Sequence, residues 1–79
     1  MDIELHLYAT LAKYLPEDAT SKTAIITMAP GETVRDLITG LGIPENTVKL
    51  IFINGVHGKT DTVLNHGDRV GLFPPVGGG

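Results

Sequence analysis

Arg69-Val70-Gly71-Leu72-Phe73-Pro74-Pro75-Val76-Gly77-Gly78-Gly79 changes character at its proline pair. Before the pair, Val70 and Leu72 alternate with Arg69, Gly71 and Phe73, the period of a strand with one buried face. At the pair, each ring holds φ at about −65° and removes a backbone donor, so the strand must end there. After it come three glycines, whose missing Cβ makes a thin, flexible thread. The thread's reactive group is the α-carboxylate of Gly79, ionised at neutral pH. A carboxylate at the tip of a side-chain-free tail suits a narrow active site in another protein. The same residues also fit an unstructured terminus with no role. The expected division is a folded domain over 1–75 and a flexible glycine tail over 76–79.

Upstream, Gly67-Asp68 turns the chain into that last strand. Asn54-Gly55 is a hairpin signal, because both residue types tolerate positive φ. Before it, Lys49 to Ile53 reads as a strand with little solvent exposure. After it, through Asp61 and Asn65, a short strand and a polar loop are expected. Thr33 and Asp36 make a capping-box pattern at the start of a helix. Val34, Leu37, Ile38 and Leu41 follow as one apolar stripe, and Gly42 and Pro44 close it. At the amino end Ile3, Leu5 and Leu7 alternate with Asp2, Glu4, His6 and Tyr8, a second half-buried strand. Leu11 to Leu15 is cut short by Pro16 and reads as a turn or one helical turn. Pro16 to Lys22 is a polar loop, and Thr23 to Met28 a further strand that completes a hairpin. The order predicts an α+β domain with one helix packed across a small sheet.

The 79 residues permit one small domain, and its 42 % apolar content must hold the fold without a single cysteine. No disulfide, thiolate metal site or thiol nucleophile is available. A formal charge of −3 argues against nucleic acid, which calls for clustered Lys and Arg. The lack of a long apolar run or a basic amphipathic stretch argues against membranes. Met1-Asp2-Ile3-Glu4 carries no signal pattern, so a cytoplasmic location is expected. His6, His57 and His66 lack ligand spacing and read as exposed histidines, with no metal expected. Gly40-Leu41-Gly42 is followed by Glu45 where a dinucleotide fingerprint needs glycine or alanine. No glycine-lysine phosphate loop occurs, so ATP would have to be held by a partner. Glu17 and Asp18 read as solvated loop charges.

A β-β-α-β-β chain closing with Gly67-Asp68-Arg69-Val70 and then Leu72-Phe73-Pro74-Pro75-Val76-Gly77-Gly78-Gly79 resembles the ubiquitin-like β-grasp sulfur carriers of the MoaD/ThiS type. Within them it is most similar to the small subunit of molybdopterin synthase. The likeness follows element order along the whole chain and is sharpest in the Phe-Pro-Pro-Val-x-Gly-Gly ending, with Gly77 at the variable position. It implies a ubiquitin-like β-grasp fold and a carrier with no catalytic site of its own. By the resemblance, a MoeB/ThiF-like activating enzyme adenylates Gly79 with ATP, and a sulfur donor converts the acyl adenylate to a thiocarboxylate. The tail of Gly77, Gly78 and Gly79 then enters a MoaE-like large subunit, where sulfur passes to a pterin precursor. No tightly bound cofactor is implied. The early steps are shared with ubiquitin-like protein modifiers, and with carriers for thiamine or tRNA thiolation, so the tail alone does not separate these roles.

Ordering four tail residues costs about 4–8 kcal/mol of backbone entropy. The globular part must therefore dock as well. In the β-grasp arrangement the first and last strands are neighbours, which places Tyr8 and Phe73 together on the exposed sheet face. With Pro74, Pro75 and Val76 they form the expected partner-docking patch. The competing reading packs one of the two rings under the Leu11–Leu15 loop.

Overall fold

Ile3, Leu5 and Leu7 are fully buried, and so are Val70 and Leu72, because the two strands that carry them lie side by side under a helix. The computed structural model describes residues 1–17 and 23–75. Its strands are β1 (Asp2–Leu7), β2 (Thr23–Thr27), β3 (Leu50–Ile53), β4 (Val56–His57) and β5 (Arg69–Phe73), with one α-helix, α1 (Val34–Gly40). They make one sheet in the order β2-β1-β5-β3-β4. The first and last strands pair in parallel at its centre, and every other pairing is antiparallel. This is the ubiquitin-like β-grasp expected from the sequence: a mixed sheet with one helix across it.

The helix starts and stops where its sequence says. Thr33 accepts the Asp36 backbone N–H, and the Asp36 carboxylate accepts the Thr33 N–H at 2.9 Å, a complete capping box. Two further orphan donors, the N–H groups of Val34 and Arg35, reach the Thr62 and Thr60 carbonyls at 3.1 and 2.8 Å. The segment after β4 (Val56–His57) therefore serves as a scaffold for the helix entrance. At the far end Gly42 has φ +76°, and the N–H groups of Gly42 and Ile43 reach back to Thr39 and Ile38. That is a Schellman stop, which needs the left-handed residue glycine adopts without strain. Leu41 thus caps the helix and is half-buried, while Val34, Leu37 and Ile38 supply its buried face.

Asn54 and Gly55, at φ +53° and +82°, make the tight turn between β3 and β4. The turn residue also ties the hairpin to β5. Asn54 donates its amide to Asp68 and accepts the Arg69 N–H, both at 2.9 Å. Leu11 to Leu15 lies mostly in a six-residue 3₁₀ helix, Ala9–Tyr14, that buries Leu11. Two expectations need correction. The strand read at Lys49 to Ile53 is not shielded from solvent: Leu50 is 37 % exposed and Phe52 half-buried, since the helix covers only one face. The histidines are not all exposed either, because His6 is half-buried and bonded to Glu4. The expected loop lies in part, and the tail wholly, outside the described residues.

Candidate functional site

The uncovered face of the sheet follows from strand alternation. Glu4 and His6 project there from β1, with Tyr8 directly after it, and Arg69, Gly71 and Phe73 from β5. From β3 come Leu50 and Phe52, because Leu50 pairs with Phe73 and Phe52 with Gly71. Tyr8 and Phe73 stack with centroids 4.1 Å apart and planes 3° from parallel. Phe52 meets Phe73 edge-on at 5.7 Å, and His57 lies 5.8 Å beyond Phe52. Stacked and edge-on ring contacts are worth about 0.5–1.5 kcal/mol each beyond the area they bury. Tyr8 nevertheless stays 38 % exposed. The competing reading, with one ring under the Leu11–Leu15 segment, does not hold; Tyr14 is the aromatic that packs on the core there.

Gly71 shapes the middle of this face. With no side chain, it leaves a shallow depression of about 260 Å³ walled by Tyr8, Phe73 and Phe52 and edged by His6 and Arg69. A Cβ there would stand 3.4 Å from the Tyr8 ring and 3.7 Å from the Phe73 ring. Beside the rings, Glu4 Oε2 accepts from His6 Nε2 at 2.5 Å and from Arg69 Nε at 3.1 Å. The His6 hydrogen bond, reinforced by the Arg69 charge, holds the Glu4 carboxyl below the usual carboxylate range.

The strand's exit is fixed as firmly as the rings. Tyr8 N–H donates to the Leu72 carbonyl at 3.2 Å, and Lys49 N–H to the Phe73 carbonyl at 2.7 Å. The next residue, Pro74, has no N–H to continue the ladder. Pro74 is half-buried and Pro75 exposed, so the chain leaves the sheet beside the stacked rings. Tyr8, Phe73, Pro74 and Pro75 are thus brought to one place. Val76, Gly77, Gly78 and Gly79 lie outside the described residues.

Sequence reasoning missed Phe52, Gly71 and the Glu4–His6–Arg69 cluster. The signal for Phe52 was present. Asn54-Gly55 fixes Ile53 opposite Val56, which sets the parity of every β3 side chain. Among the described residues no group of three or more His, Asp or Glu could hold a metal, and no helix is long and apolar enough to cross a membrane.

The family model described as Mut7-C ubiquitin matches residues 1–77. The chain belongs to that family. Solved structures share its architecture. SAMP1 from Haloferax volcanii is 24 % identical over all of both chains, with a TM-score of 0.71. A putative molybdopterin converting factor subunit 1 from Pyrococcus furiosus is 27 % identical, covering 95 % of this chain and 98 % of that one, at 0.68. Subunits 1 and 2 of the Helicobacter pylori molybdopterin-converting factor form a complex, one chain of which is 21 % identical over the full length of both, at 0.62. No curated protein matches the sequence. The Mut7-C ubiquitin chain therefore has the ubiquitin-like fold of the MoaD/ThiS type, the fold of the small archaeal modifier protein and of the molybdopterin converting factor subunit.

Proposed function

We propose that this chain is a sulfur carrier, that its Gly79 carboxylate takes up sulfur as a thiocarboxylate, and that it donates this sulfur in molybdopterin synthesis. The observation that carries the proposal is the stacked Tyr8–Phe73 pair beside the point where Pro74 and Pro75 lead the chain off the sheet. A glycine tail makes few contacts of its own, so the folded part must present a surface next to it. Here that surface is aromatic, partly exposed and continuous with the exit. The Pyrococcus furiosus neighbour and the Helicobacter pylori two-subunit complex support the same direction.

The chemistry asks little of the chain's own side chains. A carboxylate is a poor electrophile, being anionic and resonance-stabilised, and needs a leaving group. In a partner enzyme of the adenylating class, a Gly79 carboxylate oxygen attacks the α-phosphorus of ATP and pyrophosphate leaves. Hydrosulfide (HS⁻) released by a sulfur donor then forms a C–S bond as the C–O bond to AMP breaks, which leaves the thiocarboxylate and AMP. Division of one hard substitution into two easier ones is the gain from covalent activation. The roles left to this chain are presentation and docking: Gly77 and Gly78 keep the path narrow, while Tyr8, Phe52 and Phe73 hold the domain at the partner's entrance. The large subunit that receives the tail is then the second partner of the same face.

The test is the intact mass of the chain, ending at Gly79, after incubation with an activating enzyme, ATP and a sulfur donor. Replacement of one terminal oxygen by sulfur, absent after deletion of Gly79, is expected. Transfer to a molybdopterin synthase large subunit then tests the destination. A covalent adduct to protein lysines instead of a thiocarboxylate replaces the reading by that of a ubiquitin-like modifier, the role named in the small archaeal modifier that shares this fold.

A further inference from the structure

A second surface lies at the opposite edge of the sheet from β4. Met28 N–H donates to the Met1 carbonyl at 2.8 Å, and the Met1 amino group to the Met28 carbonyl at 2.7 Å. In an antiparallel pair such doubly bonded positions alternate with unbonded ones. Ile3 with Ile26 and Leu5 with Ala24 are thus bonded pairs, whereas Asp2 with Thr27 and Glu4 with Ile25 are not. Glu4 agrees, since its N–H is spent on the other side, on the Asp68 carbonyl at 2.9 Å. Ile25 and Thr27 therefore turn their N–H and C=O groups outward, at an edge where β2 has no neighbouring strand among the described residues. Beside that edge, between β2 and α1, runs a groove of about 220 Å³. Ile26, Met28, Leu37 and Leu41 supply its apolar wall, and Glu32 and Asp36 its acidic rim.

The rim has capacity to spare. Glu32 uses Oε1 on the Ala29 N–H, and Asp36 uses Oδ2 on Thr33, while the second oxygen of each has no partner among the described residues. On the other side of the strand Ile25 is 64 % exposed. Outward backbone groups at Ile25 and Thr27, in a strand rich in β-branched residues, are a template for another strand.

We propose that the β2 edge and its groove form a second docking site, which takes an extended segment of a partner protein, apolar at alternate positions and flanked by Lys or Arg. The segment adds a strand to β2 through the outward groups of Ile25 and Thr27. Its alternate apolar side chains enter the groove, and its cations meet Glu32 and Asp36. Charge selects this occupant over a second copy of the chain: pairing two β2 edges would bring two acidic rims together in a protein of net charge −3. The site is separate from the aromatic face, does not rest on the tail chemistry, and leaves Tyr8, Phe52 and Phe73 free.

The test titrates the isotope-labelled protein with the blocked peptide Lys-Thr-Val-Thr-Val-Thr-Lys and follows amide NMR shifts and hydrogen exchange. The amides of Ile25 and Thr27 are expected to shift and gain protection, with those of Phe52 and Phe73 unmoved. Glu in place of both peptide lysines should weaken binding roughly tenfold, as two partly exposed ion pairs become repulsions. Glu32→Lys should bring that preference toward the acidic peptide. Ile25→Pro removes one outward donor and should weaken binding roughly fivefold, with the rest of the spectrum reporting an intact fold. Equal binding of both peptides, shifts confined to the aromatic face, or no shift at Ile25 and Thr27 up to millimolar peptide overturns the proposal. Protection of those two amides that grows with protein concentration and no peptide overturns it in favour of self-association.

Discussion

The two faces of the central strands share one backbone but carry opposite chemistry. Toward the helix, β1 and β5 present Ile3, Leu5, Leu7, Val70 and Leu72, all aliphatic and all buried. Toward solvent they present Glu4, His6, Arg69 and Phe73, with Tyr8 stacked on Phe73 and Gly71 as a floor. Branched aliphatic side chains fill an enclosed layer closely and have no polar group to satisfy. Aromatic rings on an open face keep a large apolar area available to a partner at little cost in side-chain entropy. The first face is where folding free energy is gained, and the second is the face proposed for docking.

The sharpest way to break this contrast is a pair of truncations. Leu5→Ala on the inner face should cost about 2–5 kcal/mol in urea unfolding, from lost burial plus a cavity. Tyr8→Ala on the outer face should cost clearly less, yet weaken binding to the proposed tail-receiving partner by at least about tenfold, as loss of an interface anchor does. Equal stability losses would make the rings part of the core and remove the distinction. Thr33→Ala probes how the inner face keeps its cover; loss of the cap should lower stability by about 1 kcal/mol without affecting the outer face.

Smaller effects sharpen the outer face. Gly71→Ala places its Cβ in ordinary contact with both rings and should change stability by no more than about 0.5 kcal/mol. Gly71→Val fills the depression and should weaken partner binding while the sheet persists, as read by calorimetry and circular dichroism. The least effect is on acid stability. Because the folded protein holds the Glu4 carboxyl below its unfolded value, its contribution is present above the ordinary carboxylate pKa and fades as pH falls through the lowered one. NMR titration should find the Glu4 midpoint below that of an unstructured peptide. His6→Ala should move it upward, since the His6 hydrogen bond is the largest cause.

Much of this was readable residue by residue. The last strand, Arg69–Phe73, and the capped helix start at Thr33 are local events, set by alternation, proline and a side chain within one turn of its partner. The Asn54-Gly55 turn is equally local. Phe52 was misjudged because an aromatic-aliphatic run does not say whether one or both faces of its strand are covered. The segment after Asn54-Gly55 is the short strand and loop its residues suggest, but that the loop's carbonyls serve the helix entrance, a partnership across more than twenty residues, is something no local pattern encodes.

What the sequence alone determined, then, is the list of elements, their boundaries and the aliphatic stripe that makes the core, since these depend on neighbours along the chain. What the tertiary structure decided is which side chains share a place. The parallel pairing of β1 with β5 joins Tyr8 to Phe73 and Glu4 to Arg69 across sixty-five residues, and the strand order puts β2 at the edge of the sheet among the described residues. Those contacts arise from burying both aliphatic faces under one helix, a condition on the whole sheet rather than on any segment of it.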